Sequence, residues 1–474
     1  MRCVLSLSVV LAISMWLLLS GTPADDPSKG APSAVQLATF VADITPPLGE
    51  IIVCGLGNDA QQRDVRASKI EHPILAKGIV LKDAGGVYVL CGFDWGGLCN
   101  DAHDAAREKL AAAAGTTPDR IAVQSLHQHT SPAADINAQK ILDRAPGGVV
   151  TIGIAHFEKS TDAVAAAVRD AMKRLQPVTH VGTGTAPVDR VASSRRIRLP
   201  DGTIGTRYSS MKDPIARMWP EGKIDGFLRT VAFYSGEKTL ASIHYYAMHP
   251  QAHYGDGLVT YDVPGLARER LEKESGVFQV YFTGCGGDLA MGKYNDGDPV
   301  NRAHLAERLY DAMQRSTDGI KDRHAVTPLR WRSEKLRLEP RRAPEFSGPA
   351  CQKVVDDPKA HPTARIKAAM MLAFLERVRA GHSLDLSCLT VGPVMILNFP
   401  GEMFVEYQLF AQRAAPAETF VAVAAYGDCA MWYIGDNQAY TDRGGYEQTW
   451  SFVEPSEEIL KEAIEKLVKQ RKDE

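Results

Sequence analysis

The 474-residue sequence has no GxSxG nucleophile elbow and no HExxH helix, so neither the serine of an α/β-hydrolase nor the zincin motif is available to it. Any hydrolysis would have to rest on metal-activated water. No CxxC pair occurs and the eight cysteines are scattered, which excludes a clustered thiolate metal site. The glycine-rich run Gly284-Cys285-Gly286-Gly287-Asp288 is not followed by Lys-Ser/Thr, so it is no phosphate-cradling P-loop; close backbone approach to a site, or a tight turn, explains it better. Charge of one sign is also lacking: a net −3 at pH 7 carries no basic surplus to announce a nucleic acid or an anionic membrane. A single long apolar run and a mean hydropathy of −0.17 exclude a polytopic membrane protein. With 45% apolar and 23% charged residues the proportions are those of a globular enzyme-sized chain.

The one apolar run is N-terminal. Met1-Arg2 gives a positive start, Val4 to Leu19 is apolar apart from serines, and Ser20-Gly21-Thr22-Pro23-Ala24 supplies small residues before a polar stretch. That layout predicts a secretory signal peptide over residues 1–24, followed by a disordered linker over 25–34 and export to the periplasm or cell exterior. An uncleaved anchor is disfavoured because the run is shorter than the ~20 residues a span needs. Seven cysteines follow the signal; they read as buried fillers, with one or two disulfides left open by the oxidising compartment.

Strand patterns cover about residues 36–44, 75–82, 87–93, 121–125, 230–234, 240–246, 278–282, 330–338, 394–398 and 420–424. Helical patterns cover 101–114 (with Asn100 as a cap and Gly115 as the stop), 158–175, 264–273, 302–314, 362–379, 402–412 and 456–469. The alternation predicts an α/β fold with a mixed central sheet flanked by helices. No repeat, low-complexity linker or boundary is visible, so one domain from about residue 35 to the end is the simplest organisation.

Three pieces could carry chemistry. In Ser125-Leu126-His127-Gln128-His129, an extended backbone would point His127 and His129 into one space, half of a zinc site, although a surface His pair has the same spelling. A second cluster, His244 through His249-Pro250 to His253, lies at and beyond a strand end, and structural use of one or two of these histidines is the plain alternative. Asp262 could orient a ligand histidine or merely cap the next helix. In Asn398-Phe399-Pro400-Gly401-Glu402, the carboxylate is either a zinc ligand or an ordinary charge at a helix start.

Together these segments resemble the neutral/alkaline non-lysosomal ceramidase family. The likeness starts at Asp43-Ile44-Thr45-Pro46-Pro47. It runs through Asp94, the His127-to-Pro132 segment and Ser194-Arg195-Arg196. Met248-His249-Pro250, Tyr261-Asp262-Val263-Pro264-Gly265 and the Gly284–Asp288 turn follow in order. Pro400-Gly401-Glu402 and Tyr433 with Gly444-Gly445-Tyr446-Glu447 complete it. This resemblance implies a single zinc-hydrolase-like catalytic domain over 35–474. Zn2+ would be held by His127, His249, Glu402 and Tyr433, with His129, Arg195 and Tyr446 around the water and the scissile carbonyl. It implies amide hydrolysis of ceramide (N-acylsphingosine), hence a lipid amide substrate with peripheral membrane-lipid contact and a place in sphingolipid metabolism. Three departures stand out: Gln128 replaces threonine, Pro132-Ala133-Ala134-Asp135 replaces a Gly-Pro-Gly-Gly run, and with 27 residues after Glu447 no C-terminal β-sandwich domain is expected. The competing readings are a zinc hydrolase of another amide or ester, such as an N-acyl amino acid or a cell-envelope component, and a catalytically silent extracellular binding protein.

Overall fold

The computed structural model describes residues 35–52 and 65–469. The segments expected to be signal peptide and linker, with Cys3 and Cys54, lie outside the described residues. Within them the architecture is mixed α/β, but the expected single central sheet is replaced by three large mixed sheets. The first has the strand order Ile121–Ser125, Gly86–Phe93, Leu75–Asp83, Gln36–Asp43, Gln176–Pro177. The second runs Phe278–Thr283, Lys238–Tyr246, Phe227–Ser235, His180–Pro187, Arg323–Ala325. The third runs Arg330–Leu336, Leu384–Val391, Val394–Asn398, Phe420–Ala424.

Each sheet is made the same way. Three long strands form an antiparallel meander, a helix crosses over, and a fourth strand pairs parallel to the third. The crossover helices are Asp101–Ala114, Asp262–Ser275 and Val405–Ala414. Such a unit needs a tight hairpin and then a helical return, because parallel neighbours cannot be joined by a short turn. This threefold structural repetition has no counterpart in residue identity.

Alternate side chains explain how the sheets stack. Val394 and Ile396 join a core shared with Ile79 and Leu90 of the first sheet and Val231 and Ile243 of the second. Met395 and Leu397, on the opposite face of the same strand, pack with the helical layer around Ile366 and Phe374. Burial on both faces is why these strands read as continuous apolar runs. The parallel edge strands then meet end to end. Ser125 N donates to Tyr426 O at 2.8 Å, Ala425 N to Thr283 O at 2.8 Å, and Thr283 Oγ1 to Leu126 O at 2.8 Å. The carboxyl ends of all three sheets therefore converge on one place, where open α/β sheets carry their ligands.

Several expected elements shift. The helix expected over 158–175 occupies Ile154–Ala171. Asn100 does not cap its helix: it has φ 57°, and its Nδ2 donates to Asp135 Oδ2 at 2.8 Å. The helix expected from Glu402 starts at Val405, because Glu402–Met403 is drawn into a two-residue strand. The six cysteines among the described residues are all buried, as fillers would be.

Candidate active site

Five of the seven candidate residues come after a strand end at this convergence. His127 and His129 come after Ile121–Ser125, His249 after Lys238–Tyr246, Glu402 after Val394–Asn398, and Tyr433 after Phe420–Ala424. Arg195 follows a short strand, Ser193–Ser194, that pairs with Leu289–Ala290 just beyond the glycine-rich turn. All seven line one cavity of about 400 Å³, which is shared with Tyr208, Tyr254, Trp432 and Trp450.

The two histidines of the first segment do not converge by strand alternation. The strand ends at Ser125, and His127 adopts a left-handed backbone with φ 63°, uncommon for a non-glycine residue and a mark of a shaped site. His127 Nδ1 lies 2.6 Å from the Gly96 carbonyl, which sets the ring and leaves Nε2 facing the cavity. Gln128 points away and ties the loop down: its Nε2 donates to Asp94 O at 2.6 Å, and its Oε1 accepts from Thr130 N at 2.7 Å.

His249, not its neighbours, is the histidine of the second cluster that reaches the site. His244 is in the core, bridging Thr230 Oγ1 at 2.8 Å and Gln279 Oε1 at 2.7 Å, and His253 pairs with Asp256 nearer the surface. Asp262 neither contacts His249 nor acts as an ordinary cap. Its Oδ2 accepts from Ala252 N at 2.9 Å, which holds the loop carrying His249 in place. The glycine run makes close backbone approaches: a Cβ on Gly286 would stand 2.2 Å from Met248 O, and one on Gly287 would stand 2.2 Å from Glu402 O. Only bare backbone fits beneath both segments.

The polar atoms meet at short range. His127 Nε2 is 3.1 Å from Glu402 Oε2, His249 Nδ1 is 3.8 Å from that oxygen, and the Nε2 atoms of His249 and His129 are 3.3 Å apart. Nitrogens of His127, His129 and His249 all lie within 4.8 Å of one another, a spacing that can hold a metal ion. Glu402 is 1% exposed and its Oε2 accepts no hydrogen bond, a costly state for a buried carboxylate oxygen unless a cation is its partner. Burial, with the neighbouring His127 and Arg195, holds His129 well below the ordinary histidine range. Burial and then Arg195 do the same to His249. Both rings are therefore neutral at pH 7, the form that ligates metal.

Opposite the histidines, Arg195 Nη1 donates to Tyr433 OH at 3.0 Å and also to Tyr446 OH, and the two phenol oxygens are 2.8 Å apart. The Tyr446 loop is clamped by Arg196, which pairs with Glu447 at 2.7 Å and Asp442 at 2.9 Å. The sequence reading missed Tyr426, which stacks on His127 with centroids 4.6 Å apart and planes 13° apart, and Thr363, which lines the cavity from the helix Pro362–Arg379. Nothing local in either segment signals a site.

No family model and no curated protein sequence matches this chain. Solved structures do. A ceramidase complexed with C2 superposes with a TM-score of 0.67, and neutral ceramidase from Pseudomonas aeruginosa with 0.63. Each is 15% identical, and each match covers 92% of this chain and 75% of the other. The chain has the neutral ceramidase fold. The ceramidase fold thus agrees with the motif order of the sequence at an identity too low for sequence comparison to detect. Among the described residues, no helix is long and apolar enough to cross a membrane.

Proposed function

We propose that the protein is an exported zinc-dependent amidohydrolase, one catalytic domain over residues 35–474, that cleaves an N-acyl amide bond, with ceramide as the fold-derived substrate. One observation carries this reading: seven candidate residues from six separate segments line one cavity, with three imidazoles and an unpartnered carboxylate oxygen at its floor. His127, His249, Glu402 and Tyr433 would hold the ion, and a nitrogen and oxygen donor set of this kind suits zinc. Zinc bound there would supply Lewis acidity, polarising a carbonyl and acidifying water.

The chain's own groups account for the rest. His129, neutral at pH 7, accepts a proton at its ring nitrogen as water adds to the carbonyl carbon, and returns it to the leaving nitrogen as the C–N bond breaks. Arg195 and the Tyr446 hydroxyl donate to the oxygen on which charge develops. Their mutual hydrogen bonds, and the Arg196 clamp, fix them before substrate arrives.

A second reading within the same chemistry is favoured by the cavity wall. Among the described lining residues there is no leucine, isoleucine, valine, methionine or phenylalanine; the wall is tyrosine, tryptophan and small polar groups such as Ser209, Gln251 and Thr363. Aromatic faces with hydrogen-bonding edges suit a compact polar amide better than a long acyl chain. A panel of purified amides separates the two: preferential turnover of long-chain N-acylsphingosine supports ceramide, preferential turnover of short soluble N-acyl amides supports the second reading, and turnover of none contradicts both.

A further inference from the structure

Arg207 takes no part in the chemistry set out above, yet it is a fully buried guanidinium whose hydrogen-bond acceptors are all backbone carbonyls. Nη1 donates to Ala216 O at 3.3 Å and Trp219 O at 3.1 Å. Nη2 donates to Pro220 O at 3.0 Å, Glu221 O at 3.3 Å and Ser194 O at 2.7 Å. The backbone N–H of the same residue donates to Arg195 O, also at 2.7 Å. Arg207 therefore holds the carbonyl before the Arg195 Cα and the one after it. Peptide units are planar, so fixing both fixes the direction in which the Arg195 side chain leaves the chain. Tyr208, the next residue, lines the cavity with its ring centroid 5.6 Å from that of Tyr446, to which Arg195 donates. Stapling the excursion over 208–221, which contains the short helix Pro214–Met218, does not account for this arrangement. Lys293 Nζ already holds that part of the chain, 3.0 Å from Arg217 O and 2.6 Å from Trp219 O. The shortest guanidinium bond goes instead to Ser194, and burying a charge without an opposite partner is costly.

We propose that Arg207 is a positioning residue for Arg195: its fork and its own N–H lock the two peptide units that flank Arg195, so that the Arg195 guanidinium stands aimed at the oxygen on which charge develops. The inference rests on the reading that Arg195 donates to that oxygen. Lysine is no substitute, because an ammonium presents a point charge and not a planar fork to carbonyls on two sides. Displacing such a donor by about 1 Å is enough to cost about 100-fold in rate.

The test is a double-mutant cycle over Arg195→Met and Arg207→Met on zinc-loaded protein, with Arg207→Lys and Lys293→Met beside it. Hydrolysis of a fluorescent N-acylsphingosine and of a short soluble N-acetyl amide gives kcat and KM. Arg207→Met is expected to lower kcat about 10–100-fold with KM and zinc content little changed, and to add less than about twofold in the Arg195→Met background. Arg207→Lys, which keeps the buried charge and loses the fork, is expected to show the same pattern with a smaller loss, so a poorly folded Arg207→Met does not decide the matter. Lys293→Met, which loosens only the excursion, is expected to keep the wild-type kcat. An equal loss from the Arg207 variants in the wild-type and Arg195→Met backgrounds would overturn the proposal, since a merely structural role gives that result. So would a loss in Lys293→Met as large as in Arg207→Met. If wild type hydrolyses neither amide, or Arg195→Met matches wild type, the underlying reading fails and takes this proposal with it. If Arg195→Met is slow while both Arg207 variants match wild type, only the role of Arg207 falls.

Discussion

Glu402 and Tyr433 are cross-strand partners: the parallel pairing of Glu402–Met403 with Tyr433–Ile434 sets the two residues in register. Partners in register project to the same face of a strand pair, which places a carboxylate and a phenol side by side although 31 positions separate them. Pairing, not proximity in sequence, unites these two candidate ligands.

Removing the carboxylate tests that grouping. Glu402→Ala is expected to abolish most zinc binding and to lower amide hydrolysis by at least about 100-fold, with the far-ultraviolet circular dichroism unchanged. Elemental analysis of the purified variant checks it; full zinc content would place the ion elsewhere.

Tyr446 is expected to act on rate and not on metal. Tyr446→Phe removes a donor from the Arg195 pair, and kcat should fall about 10²–10³-fold with KM and zinc content little changed. Steady-state kinetics on the zinc-loaded variant decide the matter, and an effect confined to KM would assign Tyr446 to substrate binding instead.

The glycine floor should tolerate nothing larger. Gly286→Ala drives a methyl toward the Met248 carbonyl 2.2 Å away, so it is expected to cost about 1–3 kcal/mol and to displace His249. Denaturant unfolding and zinc titration of the variant measure the two effects, and a fully stable variant with normal zinc affinity would contradict the packing described.

Acid stability follows from His244. Burial lowers its pKa to about 4, whereas the unfolded chain has the ordinary 6.5. Between those values the unfolded state binds the proton and the folded state does not, so stability is full above about pH 6.5 and declines as pH falls toward 4. The loss from this one group is about 3 kcal/mol. Urea unfolding across that window should show a shallower decline in His244→Gln than in wild type; parallel curves would exclude the assignment.

Much of the local structure was legible. The helices Asp101–Ala114 and Pro362–Arg379 and the strands Val394–Asn398 and Phe420–Ala424 have the bounds their periodicity and punctuation predict. Which strands pair was not, because the continuous apolar run Val394–Asn398 records two buried faces and says nothing of the partner; hence one expected sheet became three. Glu402 read as a helix start because Pro400-Gly401 precedes it and a helix follows, while the two-residue pairing that captures it depends on a segment 31 positions away. His244 and His249 look alike in the sequence, and only the end of the strand at Tyr246 separates a core histidine from one at the site. The candidate site residues were gathered by motif order, and spacing alone would not have found Tyr433, Arg195 or Tyr446.

The most direct measurement is the zinc content of the mature protein by elemental analysis, paired with hydrolysis of a fluorescent N-acylsphingosine before and after chelation. The account predicts one zinc per chain and cleavage that chelation abolishes and zinc restores. Chelation-insensitive cleavage, or a protein that neither contains zinc nor takes it up, would contradict it.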